Sequence, residues 1–74
     1  MTREAGTTRE RIFRALIKRY QADGEAALVR IDSLIKGDVI PGHEDVTGAI
    51  DKQLAKIASA EEKMATLRRH YGTN

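Results

Sequence analysis

The sequence predicts an all-α fold, an antiparallel helical hairpin that we expect to pair with a second copy as a dimeric four-helix bundle. Apolar residues recur at alternating intervals of four and three along two long stretches, as on one side of an α-helix. A single Pro-Gly step, Pro41-Gly42, separates the two stretches. The chain has 74 residues and no cysteine, so its stability must come from regular helix packing or from assembly.

The predicted elements of the single domain 1–74 are a flexible N-terminus at 1–6, helical arm one at 8–36, a connecting loop at 37–43 and helical arm two at 44–71. Thr7 followed by Glu10 fits a capping box just before the first apolar residues of arm one. Gly37 is typical of a helix stop. Pro41 cannot continue the preceding helix, so the chain must turn there.

Gly24 lies in the middle of arm one and leaves two alternatives open. Glycine costs about 1 kcal/mol in a helix interior relative to alanine, and Asp23 could cap a second helix that begins there. Arm one is therefore either one helix, kinked at Gly24, or two helices split at that residue. The apolar spacing continues in phase from Tyr20 to Ala27, which favours one continuous helix.

Arm two carries helix signals at both ends. Glu44 and Asp45 place negative charge in the predicted first turn, where the helix dipole favours it. Arg68 and Arg69 place positive charge in the last turn, and Gly72 follows as the stop. The connection between the arms is short, so we expect them to lie side by side and antiparallel.

The predicted helix-packing interface consists of apolar and aromatic residues from both stretches. These are Phe13, Ile17, Tyr20, Ile31, Leu34, Ile50, Ile57, Met64, Leu67 and Tyr71. Both stripes are wider than two helices can cover, which favours a bundle of two hairpins or docking on a larger protein; the flanking residues are Ile12, Leu16, Leu28 and Ile35 beside the first stripe and Leu54 beside the second. Gln53 interrupts the second stripe. It either fixes the register of the seam or lies at its edge while Leu54 takes the core position, the interpretation that we favour.

Charge is unevenly distributed along the chain, which has a net charge of +2. Residues 1–22 carry six basic and two acidic side chains, residues 23–50 carry two and six, and residues 51–74 carry five and three. An antiparallel hairpin would bring the two basic ends together and gather the acidic side chains at the turn. The candidate basic pole consists of Arg9, Arg11, Arg14, Arg68 and Arg69. It could orient a second copy, contact the phosphates of a nucleic acid, or simply be a solvated surface.

The sequence offers little for catalysis or for metal binding. Cysteine is absent, and His43 and His70 would lie at opposite ends of the hairpin. His43, Glu44 and Asp45 are consecutive, so on a helix start their side chains point in different directions. We therefore predict no catalytic residue, no metal site and no cofactor, and we do not expect an enzyme.

These features predict a small non-enzymatic interaction protein, an adaptor, accessory subunit or regulator that binds a protein partner through helix surfaces and forms a homodimer. The alternative is a nucleic-acid-binding accessory or regulatory protein that uses the basic pole. A third possibility is a subunit that folds fully only within a larger complex. No apolar stretch approaches the ~18 residues of a membrane span, and the chain has no cysteine and no apolar signal segment, so we expect a cytoplasmic protein. The first apolar stripe continues into residues 27–35, which favours protein packing over membrane binding.

Overall fold

The computed structural model describes residues 7–43 and 45–72, which form two α-helices joined by a short loop. Helix α1 spans Thr8–Lys36 and helix α2 spans Val46–Tyr71. The helices pack against each other as a hairpin, which confirms the predicted all-helical fold. They run antiparallel, because Arg9 at the start of α1 contacts Tyr71 at the end of α2. The N-terminus predicted to be flexible lies outside the described residues.

Both ends of α1 follow from local sequence. The Thr7 hydroxyl accepts a hydrogen bond from the Glu10 amide at 3.2 Å, and the Thr7 amide donates to the Glu10 carboxylate at 3.0 Å. These two bonds confirm the predicted capping box and satisfy amides that have no partner within the helix. At the other end, Gly37 adopts a left-handed conformation with φ of 82°, and the Asp38 amide donates to the Ser33 carbonyl at 2.9 Å.

Helix α1 continues through Gly24 without a break, which decides between the two alternatives for arm one. The in-phase stripe on either side of Gly24 explains this outcome, since Tyr20 and Ala27 both face α2. Packing against α2 along the whole length of α1 therefore outweighs the local cost of glycine, about 1 kcal/mol.

Helix α2 begins two residues later than the predicted arm two. Asp45 is its N-cap rather than a residue of its first turn, and the Asp45 carboxylate accepts from the Gly48 amide at 2.7 Å and from the Thr47 hydroxyl at 3.2 Å. Glu44 lies outside the described residues. The helix ends at Tyr71, and Gly72 follows in an extended conformation with its amide bonded to the Arg68 carbonyl.

The core between the two helices is thin. Four of the described residues are buried, and three of them are alanines, since the buried set is Ala27, Leu34, Ala49 and Ala60. Within residues 7–43 and 45–72, no large side chain is completely buried. The hairpin is thus a single layer of two helices, measuring 53 × 26 × 18 Å, with most of its large apolar side chains only partly covered.

Candidate functional site

The predicted helix-packing residues follow the contact between α1 and α2. Leu34 is buried, whereas Tyr71, at the end of α2, is 55% exposed. The other eight are half-buried, namely Phe13, Ile17, Tyr20, Ile31, Ile50, Ile57, Met64 and Leu67. The sequence-based set does not include the three buried alanines, Ala27, Ala49 and Ala60. Ala49 lies four residues before Gln53 and therefore on the same side of α2, and that spacing could have revealed it.

Gln53 and Leu54 exchange the positions that we favoured for them. Gln53 is half-buried at the contact between the helices, whereas Leu54 is 51% exposed. The favoured interpretation, with Leu54 in the core of the hairpin, is therefore wrong. Buried Ala60 sets the phase of α2, since it follows Gln53 by seven residues and shares its side, and Leu54 is rotated away by about 100°.

Large exposed apolar side chains line one side of the hairpin. On α1, Leu28 and Ile35 each follow a buried residue, Ala27 and Leu34 respectively, and are 50% and 68% exposed. On α2, Leu54 occupies the equivalent position beside the seam. A rotation of about 100° per residue carries all three to the edge of the helix contact. The two helices therefore both present apolar side chains beside the seam.

Contacts across the hairpin fix the register of these side chains. The Lys63 ammonium lies 5.3 Å from the centre of the Tyr20 ring, so these two residues lie level with each other. Because the helices are antiparallel, a step forward from Tyr20 along α1 is level with a step back from Lys63 along α2. Leu28 and Leu54 are such a pair. We call the surface around them the apolar flank; it comprises Leu28, Ile31, Ile35, Ile50, Leu54 and Ile57.

A groove runs along the opposite edge of the helix contact, and we call it the interhelical groove. Its centre encloses about 700 Å³ and is bounded by Asp23, Ala26 and Arg30 on α1 and by Lys56, Ser59 and Lys63 on α2. Ala26 and Ser59 each precede a buried seam residue, whereas the exposed residues of the apolar flank each follow a seam residue, so the groove lies on the side away from the apolar flank. Sequence reasoning did not find this groove, because its walls are polar and small residues outside the apolar stripe.

The groove continues past Tyr20 towards the open end of the hairpin. A second stretch shares Tyr20, Ser59 and Lys63 with the centre and adds Leu67. Beyond it lies a cleft of about 510 Å³ whose lining is almost wholly apolar, formed by Thr8, Arg9, Ile12, Phe13, Leu16, Leu67 and Tyr71. The interhelical groove thus changes from polar walls at its centre to apolar walls at its end.

The open end of the hairpin brings together residues of the candidate basic pole. The Arg9 guanidinium lies 5.3 Å from the centre of the Tyr71 ring, a cation–π contact between the helices. Arg9 and Arg14 also line a shallow cavity of about 880 Å³ with His70. The last turn of α2, which carries Arg68 and Arg69, therefore lies beside the first turns of α1, which carry Arg11.

The turn end carries exposed carboxylates. Asp38 and Asp45 lie on either side of the loop, and both are exposed. Asp32 forms an ion pair with Lys36 at 3.0 Å on the solvent side of α1. His43 lies in this loop, far from His70. Over residues 7–43 and 45–72, no three histidine, aspartate or glutamate side chains are grouped as a metal site would require.

Known proteins give no further guide to these surfaces. The chain matches no protein-family model, no curated protein and no solved structure. Neither α1 nor α2 combines the length and the hydropathy that crossing a membrane requires. The features of the hairpin that bear on function are therefore the apolar flank, the interhelical groove and the charged ends.

Proposed function

We propose that this chain is a small non-enzymatic interaction protein that pairs with a second copy through the apolar flank and serves a protein partner as an adaptor, accessory subunit or regulator. The observation that carries this proposal is an exposed apolar edge beside a thin core. Leu28, Ile35 and Leu54 stay at least half exposed on one edge, while the described part of the core has no completely buried large side chain. A layer of two helices normally buries such an edge against a second layer.

The face of the hairpin that carries the apolar flank is large enough for a dimer interface. Completing the burial of a half-exposed leucine or isoleucine stabilises a fold by about 1 kcal/mol, and a two-fold dimer counts each such residue twice. A stable interface buries about 800 Å² on each partner. The broad face of the hairpin, at 53 × 26 Å, is large enough for such an interface.

The charged ends of the hairpin favour one orientation of the two copies. An antiparallel arrangement would direct the basic pole of one copy toward the end of the dimer that carries Asp38 and Asp45 of the other. Such complementary ends speed encounter and disfavour the parallel arrangement, in which like charges would meet. The apolar flank would then supply the affinity, and the charges the orientation.

Light scattering on a sizing column tests the dimer. We expect the wild-type chain to have the mass of a dimer at both low and high salt. Leu54→Asp should have the mass of a monomer, because a carboxylate in the centre of an apolar interface is strongly disfavoured. Val29→Asp is the matched control, since Val29 is 64% exposed and points away from α2, and this variant should stay dimeric.

Two results would contradict the dimer. A monomeric wild-type chain at micromolar concentration would show that the apolar flank does not bind a second copy. A dimeric Leu54→Asp variant would show that the two copies meet through another surface. Loss of the dimer in Val29→Asp as well would point to the outward side of α1 as the interface.

The clustering of cations at the open end favours nucleic-acid binding as a second candidate function. Arg9 lies beside the last turn of α2, which carries Arg68 and Arg69. If these residues contact phosphates, the affinity for a DNA or RNA duplex should fall steeply with salt. Replacing all three by Gln should reduce the slope of that salt dependence by about one for each phosphate that an arginine had neutralised. The same slope in Lys18→Gln and in the triple variant would remove the basic pole from consideration.

A further inference from the structure

The interhelical groove is a long concave surface of the hairpin that the proposed dimer leaves open. Its first two stretches share Tyr20 and Lys63, and Leu67 links the second stretch to the apolar cleft, so the groove extends from the middle of the hairpin to the open end. It lies on the opposite edge of the helix contact from the apolar flank. A dimer formed through the apolar flank would therefore display one groove on each copy.

The groove combines positive charge with apolar contact area. Arg9, Arg30, Lys56 and Lys63 line it, and all four are exposed. The carboxylates of Asp23 and Glu62 also lie along it, so cations outnumber anions among the described residues of its walls. At the open end, Ile12 is 54% exposed and contributes to the apolar cleft beside Phe13 and Leu16.

We infer that the interhelical groove is the docking site of an acidic amphipathic helix supplied by a protein partner. This inference rests on the proposed function, because it names the partner and the surface of that interaction protein. Helix-in-groove binding requires apolar contacts on one side of the incoming helix and complementary charge along its edges. The groove supplies the apolar contacts at Ile12 and Leu16 and the cations at Arg30 and Lys56.

The dimensions of the groove fit a third helix. Its α1 wall extends from Thr8 to Arg30, which corresponds to roughly 33 Å and thus to a partner helix of about 20 residues. Ala26 and Ser59 form the walls at mid-length, and side chains of this size allow a helix to approach to about 8–10 Å between axes. A nucleic acid would fit less well, since its phosphates would leave the apolar cleft uncovered.

Selection from a library of random amphipathic helical peptides, each of about 20 residues, tests this inference directly. The bait is the full-length chain. We expect the selected peptides to carry apolar residues at helical spacing in one half, which would meet Ile12 and Leu16, and aspartate and glutamate in the other half, which would meet Arg30 and Lys56. Selected peptides that are neutral or basic, or the failure of any peptide to be enriched, would overturn the inference.

Variants of the groove locate the binding surface. Ser59→Trp fills the centre of the groove and should abolish binding of the selected peptides. Ala58→Trp is the control, because Ala58 is the preceding residue and lies outside the groove, and this variant should still bind them. Lys56→Glu should weaken binding by roughly tenfold, and Lys18→Glu, with the same change of charge outside the groove, should have little effect. Equal effects of the two Trp variants would overturn the assignment of the groove.

Light scattering on the same variants separates this inference from the proposed dimer. If the wild-type chain is a monomer and Ser59→Trp abolishes its binding of the selected peptides, the dimer is rejected and the groove is supported. A Ser59→Trp variant that loses the dimer would show that the groove holds a second copy, which overturns the inference. Labelled oligonucleotides and phosphatidylserine vesicles serve as the remaining probes; binding of either in the groove in place of acidic peptides would also overturn it.

Discussion

Thr7 determines where α1 begins, although it lies outside the helix. Its hydroxyl and its amide both bond to Glu10, so two helix-terminal groups are satisfied by a single pair of residues. Asp45 has the corresponding role for α2 through the Gly48 amide. Neither cap residue is buried, and the contribution of each comes from hydrogen bonds rather than from packing.

Thr7→Ala should lower the free energy of unfolding by about 1 kcal/mol, since it removes the acceptor for the Glu10 amide and the anchor of the box. For a domain of this size, that change corresponds to a decrease in Tm of about 4–8 °C. Thermal unfolding followed by circular dichroism measures it. Thr8→Ala is the control, because Thr8 is also exposed and lies inside the helix; a decrease of equal size there would count against the capping box.

At the scale of the elements, two glycines of α1 occupy opposite kinds of site. Gly24 is in the helix interior, where an added Cβ would meet no atom of α2 or of a neighbouring side chain within 4 Å. Gly37 ends the helix with φ of 82°, a conformation that side-chain-bearing residues rarely adopt. The same substitution should therefore have opposite effects at the two positions.

Gly24→Ala should stabilise the hairpin by about 0.5–1 kcal/mol, because alanine loses less backbone entropy on entering a helix. Gly37→Ala should destabilise it by about 1 kcal/mol, because its Cβ is strained in the left-handed region. Urea unfolding of both variants gives the two values. Destabilisation by Gly24→Ala would indicate that α1 bends or opens at this residue in solution.

The sequence predicts the ends of the helices well, because these depend on a few neighbouring residues. It predicts less well which of two adjacent side chains lies at the seam. The capping box, the end of α1 at Gly37 and the end of α2 before Gly72 follow from a few residues each. The positions of Gln53 and Leu54 do not, because both fit the period of the stripe to within one residue. Only the phase set by buried Ala49 and Ala60 places Gln53 at the seam, and small residues give a weak signal in a pattern of large ones.

The candidate surfaces were predicted only in part for a similar reason. Antiparallel pairing follows from the short loop, so the collection of Arg9 and Arg14 beside the end of α2 could be expected from the sequence. The interhelical groove could not, since its walls at Ala26, Lys56 and Ser59 belong to neither apolar stripe. Such a groove depends on which edge of each helix faces the other, and that choice is made by packing.

The whole molecule is a single layer of two helices, and its stability is expected to depend on a second layer. The hairpin is 18 Å across its thinnest dimension, and the buried core of its described residues consists of one leucine and three alanines. A core of this size contributes little against the conformational entropy that folding removes. Domains with so few buried large side chains usually need a metal, a disulfide or a partner, and the chain contains no cysteine.

Coupling of folding to dimerisation makes the thermal midpoint depend on chain concentration. Raising the concentration about a hundredfold should stabilise a folded dimer by about 2.7 kcal/mol. For the combined size of two chains, this corresponds to an increase in Tm of roughly 5–10 °C. Leu54→Asp should melt at a lower temperature that does not change with concentration, because it removes the second layer. A wild-type midpoint that stays constant across the same range would mean that the hairpin is stable by itself, and the exposure of Leu28, Ile35 and Leu54 would then require a partner other than a second copy.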